Sequence, residues 1–277
     1  MEVRVVSCIY ELLPYRQTRS HGDTGTRGNK HTASPSHRVT ASYGCGPFMP
    51  VVAGVDSCPG GWLAVLVTFF EEIVEEEHVL LERFQDLATL KTPPSYIAVD
   101  IPMGLLDEPV KGGRECDRVA RKILGQPRSS SVFSPPVRQS LDCVTFEEAK
   151  EYDLNLQSFG ILPKVRELDR IMTPELQKRI REAHPEISFF TMAGLAPARV
   201  GKKKVQGRKE RILILDQYFF QIEEGLARFR ASEATADDVL DAYACAWTAM
   251  RLFRGEAGHI PDDPPKDERG LQMAIWY

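Results

Sequence analysis

No two of the six cysteines (Cys8, Cys45, Cys58, Cys116, Cys143 and Cys245) form a C-x-x-C pair. That spacing argues against a zinc knuckle and offers no disulfide framework. Ordinary thiols in a reducing cytoplasm are the simplest reading. The chain also lacks any apolar run near about 20 residues, which argues against a membrane span. Its first residues lack the apolar stretch of a signal peptide, which argues against secretion. A large charge of one sign is missing too: 35 Lys and Arg stand against 39 Asp and Glu, a net −4. A mildly acidic chain is no bulk polyanion binder, so a nucleic-acid contact needs a local basic patch. No internal repeat is present. The sequence is silent on oligomeric state.

What is present is globular composition. At 277 residues and 43% hydrophobic, the chain can build one sizeable core or two small ones. Residues 1–48 differ from the rest: they are rich in Gly, Ser and Thr, hold three of the six His, and beyond Val3–Leu13 show no periodicity. Such a segment cannot bury enough apolar surface to offset its ordering entropy. It is expected to be a disordered extension or the product of a start codon assigned too far upstream, with a regulatory tail as the alternative.

From Val51 the pattern sharpens. Val51–Asp56 reads as a short strand, Pro59-Gly60-Gly61 as a turn, and Trp62–Phe69 as the return strand with Trp62 in the core. Ile73–Leu81 suits a third strand whose acids discourage edge pairing. Phe84–Leu90 suits a short helix, and Tyr96–Asp100 a fourth strand closed by Ile101-Pro102. Residues 103–175 read as an inserted helical and loop region, in which Arg114–Leu124 is an amphipathic helix. Thr145–Gln157 opens on a helix-start signature. Ile187–Met192 suits a short strand. Arg211–Phe229 suits one long helix and Ala236–Phe253 a last apolar one. One domain is expected over residues 49–260, with 261–277 as a peripheral tail.

The acids fall in telling places. Asp56 ends the first strand and Asp100 the fourth. If these strands are parallel neighbours, both side chains emerge at the same sheet edge, where open α/β sheets carry their sites. In "ADDVLDAYACAWTAM", Asp238 and Asp241 lie at i and i+3 on one face of a helix otherwise made of small apolar residues. Like charges so placed repel, and burial makes that worse. A compensating hard cation resolves the conflict. Helix capping explains Asp237 or Asp238 equally well, but it explains Asp241, a full turn inside, less well.

Eight segments, in order, carry a resemblance: "GVDSCPGGW", "VDIPMGL", "RECDRVARKILG", "RSSSVFSPP", "LQSFGILPK", "EAHPEISF", "GRKERI" and "DDVLDAYACAWTA". From about Met49 to Arg254 the chain resembles the DUF429 family, predicted nucleases with a ribonuclease H-like fold. The resemblance implies an α/β mixed sheet, a three-strand antiparallel meander plus parallel strands, flanked by helices. It implies that Asp56, Asp100, Asp238 and Asp241 converge as metal ligands, since resolvases of this fold end with a D-x-x-D on the terminal helix. It implies two Mg²⁺ or Mn²⁺ ions and cleavage of a phosphodiester in nucleic acid or another phosphate ester.

Further residues join as candidates. Glu186, in "HPE", suits a further ligand or base, though a surface acid after a Pro turn is as common. His184 suits a proton relay, or a structural hydrogen bond. Arg128, Ser129, Ser131 and Arg138 offer guanidinium and hydroxyl groups to phosphate, against the plainer reading of a Pro-braced loop. No G-x-S-x-G elbow surrounds the serines, so neither is a nucleophile. Lys164 and the run Arg199–Arg211, with Lys202, Lys203 and Arg208, could supply a positive surface or simply a solvated basic loop. Two other functions compete: a phosphotransferase of the sugar-kinase and actin type, and a non-catalytic nucleotide or nucleic-acid binding module. No second Asp-x-Gly hairpin and no Gly-Gly adenosine loop support the kinase reading.

Overall fold

Strand β1 (Val51–Cys58) is buried along nearly its whole length because it lies at the centre of a sheet covered on both faces. The computed structural model describes residues 49–196, 200–201 and 204–277, so the expected extension at 1–48 lies outside the described residues. Strand β1 pairs antiparallel with β2 (Gly61–Phe69), which pairs antiparallel with β3 (Ile73–Leu81). On its other side β1 pairs parallel with β4 (Tyr96–Val99), and β4 pairs parallel with β5 (Ile180–Glu182). The order is β3-β2-β1-β4-β5. This is the expected α/β mixed sheet, a meander plus parallel strands, consistent with a ribonuclease H-like fold.

Alternation along each strand divides the core. Val51, Ala53, Val55, Trp62 and Ile97 face helices of the inserted region: α1 (Glu115–Leu124), α2 (Phe146–Lys150), α3 (Leu156–Gly160) and α4 (Leu162–Ile171) belong there, and Leu162, Val165 and Leu168 of α4 close that core. Val52, Cys58, Leu63, Val65 and Ala98 face the other way, toward α5 (Pro185–Met192), α6 (Val205–Leu215), α7 (Ile222–Arg228) and α8 (Ala236–Arg254). Helix α8 lies directly on β1. A Cβ added at Gly54 would sit 1.9 Å from the Ala246 nitrogen and 2.1 Å from the Ala242 carbonyl oxygen. Glycine is the residue that permits this backbone approach. Among the described residues no helix is long and apolar enough to cross a membrane.

Several local readings change. Ile187–Met192 is helical, not extended: Pro185 stands at the first helical position and the His184 ring accepts the Glu186 N–H as an N-cap. The strand of that region is β5, just before it. Phe84–Thr89 is a short 3-10 helix. The long helix expected over Arg211–Phe229 is broken into α6 and α7, and most of the basic "loop" from Val205 is the first half of α6. The break is held by Glu76 of β3, whose carboxylate accepts the Phe220 and Gln221 N–H groups at 2.8 and 3.0 Å. Glu76 and His78 are therefore buried groups of β3, not edge charges. Tyr243 of α8 donates to Glu76 at 2.9 Å and meets His78 at 2.6 Å. Burial pushes the His78 pKa below its ordinary value.

The segment 261–277 is packed rather than peripheral. Leu271, Met273, Ala274 and Ile275 are buried, β7 (Ile275–Trp276) pairs with β6 (His259–Ile260), and Trp276 bridges to Ala183 beyond β5. Asp267 fixes it, accepting the Leu105 and Leu271 N–H groups.

Candidate metal centre

The two sheet acids owe their meeting to register. Val55 is level with Val99 across the parallel pair, so Asp56 and Asp100 follow as the next pair, and the Asp100 N–H donates to the Val55 carbonyl at 3.0 Å. Gly54 and Asp56 lie two apart on β1, as do Ala98 and Asp100 at the end of β4, so both acids sit on the face that α8 covers. The close seam at Gly54 then brings α8 down onto that face with Asp241 in its second turn. Asp56, Asp100 and Asp241 each present a ligand atom within 4.8 Å of the others. Asp56 and Asp241 are buried and Asp100 is half-buried. Asp56 also accepts the Ser57 N–H at 2.7 Å.

Three carboxylates at that separation repel, and partial burial strengthens the repulsion. An all-oxygen anionic set is the donor chemistry that hard divalent cations take. The trio therefore fits a divalent metal ion. Cys58, on the same face, does not fit as a ligand: burial pushes its thiol up to about 11, with Asp238 and Asp56 adding to the shift.

Asp238 stands apart from the trio. Its carboxylate accepts the Thr235 N–H at 2.7 Å while Thr235 Oγ1 accepts the Asp238 N–H, so the pair closes a capping box on α8. It nevertheless lines the same cleft. That cleft has a volume of about 570 Å³ and runs from the trio past Arg128, Ser130, Ser131, His184, Glu186 and Lys204.

The remaining candidates divide. Glu186 lies outside the trio and its Oε1 takes a charge-assisted bond from Arg211, which is fully buried. His184 approaches the Ser131 carbonyl at 3.4 Å. Arg128 and Ser131 line the cleft on a 3-10 turn (Arg128–Ser131), while Ser129 of that turn does not. Arg138 is drawn away from the cleft by Asp169 at 2.8 Å and by Asp267, tying the inserted region to the C-terminal segment. Lys164 stacks 4.6 Å from the ring centre of Trp62. Arg208 pairs with Asp237 at 3.5 Å. Lys202 and Lys203 lie outside the described residues.

One cluster went unread in the sequence. Arg114, 1% exposed, donates to both oxygens of Glu182 at 2.7 and 2.6 Å, to Asp117 at 2.7 Å, and to the Met103 and Gly104 carbonyls. Glu182 ends β5 level with Val99, one position before Asp100 in the sheet. It is thus another strand-end acid, but Arg114 and the Met103 N–H use both its oxygens. Burial raises its pKa and Arg114 opposes that shift. The usable signal was Arg114 with Asp117 three residues on, a side-chain cap at the start of α1.

No curated protein and no solved structure matches the chain. A family model does, over residues 54–266, and that span contains all three acids of the trio, Glu186 and the Arg114 cluster. Its description is "Protein of unknown function (DUF429)", and the chain belongs to that family.

Proposed function

We propose that the chain is a metal-dependent hydrolase of phosphodiester bonds, a nuclease in the broad sense. The convergence of Asp56, Asp100 and Asp241 carries this reading. These three residues would hold Mg²⁺ or Mn²⁺, which supplies a Lewis acid and a water of lowered pKa at neutral pH. The chain's own part is to fix the acids before substrate arrives. Asp56 and Asp100 are set by sheet register and Asp241 by the Gly54 seam, so little reorganisation remains at the moment of reaction. Asp238, at the cleft wall, keeps α8 capped and its first turn ordered. His184 lines the cleft with its ring hydrogen-bonded at both nitrogens, an orienting role more than a free base. The scattered cysteines, none in a C-x-x-C pair, fit a reducing, cytoplasmic setting.

The test is cleavage of labelled single-stranded, duplex and branched DNA and RNA in Mg²⁺ or Mn²⁺, by wild type and by Asp241→Asn. Cleavage that falls by at least about 100-fold in the variant is the expected result. Cleavage unchanged by the substitution rejects the trio as the reaction centre.

A further inference from the structure

Most charged groups around the cleft are spent inside the protein. Arg114 is shared between Asp117 and Glu182, Glu186 is paired through Oε1 with Arg211 while its Oε2 is buried without a partner, and Asp238 caps α8. Arg128 is different. It lines the cleft, yet it forms no hydrogen bond or ion pair through its guanidinium with any described residue, and its Nε is buried without a partner. A Cβ built on Gly201 would lie 3.4 Å from both Nη atoms and 3.9 Å from Cζ, so Gly201 stands near the Nη edge of the group rather than over its face. Lys204 lines the same cleft. Holding a guanidinium partly out of water with no counter-charge costs free energy. A ligand anion removes that cost, and arginine's planar fork suits phosphate in particular.

Arg128 makes no ion pair with Asp56, Asp100 or Asp241, so the cleft holds two separate electrostatic points. One is the acidic trio, where the reacting phosphate belongs if the chain is a hydrolase. The other is cationic and wants an anion of its own. A cleft of about 570 Å³ suits a nucleotide-sized ligand rather than the face of a duplex. We propose that Arg128 seats a second phosphate group, so that the cleft selects small phosphate esters or single-strand ends carrying a phosphate beyond the one that reacts. The role of the trio in this scheme rests on the hydrolase reading; the anion seat does not.

The test uses thymidine dinucleotides with and without a 5′-phosphate (pTpT and TpT), titrated into the full chain in EDTA and in Mn²⁺. Wild type is expected to bind pTpT about tenfold more tightly than TpT. Arg128→Gln erases that preference, Arg128→Lys restores part of it, and Asp241→Asn keeps it. Equal binding of both ligands by wild type overturns the proposal, as does a preference that survives Arg128→Gln. A 5′-phosphorylated single strand competes with pTpT and a blunt duplex does not; a duplex that competes as well as the strand end overturns the size argument. Turnover separates the two readings. If pTpT is preferred but neither the dinucleotides nor any of the labelled DNA and RNA substrates is cleaved, the hydrolase reading fails and the seat stands. If both are cleaved and bound alike, the seat fails and the hydrolase reading stands.

Discussion

Asp238 and Asp241 are one helical turn apart on α8 and make different contacts. The capping box uses the Asp238 carboxylate, whereas Asp241 reaches Asp56 and Asp100. The sequence pattern D-x-x-D treats them alike, because spacing shows a shared face but not which carboxylate the helix terminus consumes. The distinction can be measured. Asp238→Ala is expected to cost about 1 kcal/mol of stability through the lost cap and to leave Mn²⁺ affinity nearly unchanged. Asp56→Asn is expected to weaken Mn²⁺ binding by about tenfold or more with little loss of stability. Calorimetric titration with Mn²⁺ beside chemical denaturation of each variant reads both quantities. Equal Mn²⁺ affinity in wild type and Asp56→Asn removes Asp56 from the site. The same ambiguity explains Arg138 and Arg208: both have the right chemistry for phosphate, but Asp169, Asp267 and Asp237 already engage them. Sequence shows a residue's chemistry and not whether a distant partner has used it.

At the scale of elements, the strands β1, β2 and β4 were legible because short apolar runs rich in β-branched residues and the Pro-Gly-Gly and Pro-Pro breaks are local signals. Strand β5 was not, being three residues long and meaningful only beside β4. Helix α5 was misread because a short apolar run has no clear period, and its decisive feature is the cap at His184 and Pro185. The split between α6 and α7 depends on Glu76, about 145 positions away in sequence and adjacent in space. The element contact that matters most for the site is α8 on β1, and one glycine permits it. Gly54→Ala places a methyl group within 2.1 Å of two backbone atoms of α8, where no side-chain rotamer can yield. It is expected to destabilise the fold by about 3 kcal/mol or more. It should also loosen the trio, since α8 carries Asp241 and must move away from Asp56. Denaturant unfolding and Mn²⁺ titration of this variant test both effects. Wild-type stability would mean that α8 does not press on β1 as described.

For the whole molecule, the site is assembled from segments that no single stretch of sequence brings together. Two strand ends and a helix supply the acids, while the inserted region and the turn at Arg128–Ser131 form the walls. The C-terminal segment closes the arrangement through Asp267, and Ile275 reaches the cleft. A metal that binds only when these parts are in place must stabilise the entire fold, because the unfolded chain offers no preformed trio. At a Mn²⁺ concentration about 100 times the dissociation constant, the gain is about 2.7 kcal/mol. For a domain of this size that corresponds to a rise of about 5–10 °C in melting temperature. Asp241→Asn and Asp56→Asn, each compared with its own metal-free melting point, are expected to lose most of the rise, and Arg128→Gln to keep it. The contrast separates the two electrostatic points of the cleft at the level of the fold: on the proposed reading, metal at the trio would add to global stability, and Arg128 would respond only to the anion it seats. A rise of equal size in wild type and Asp241→Asn would assign the metal to another part of the molecule.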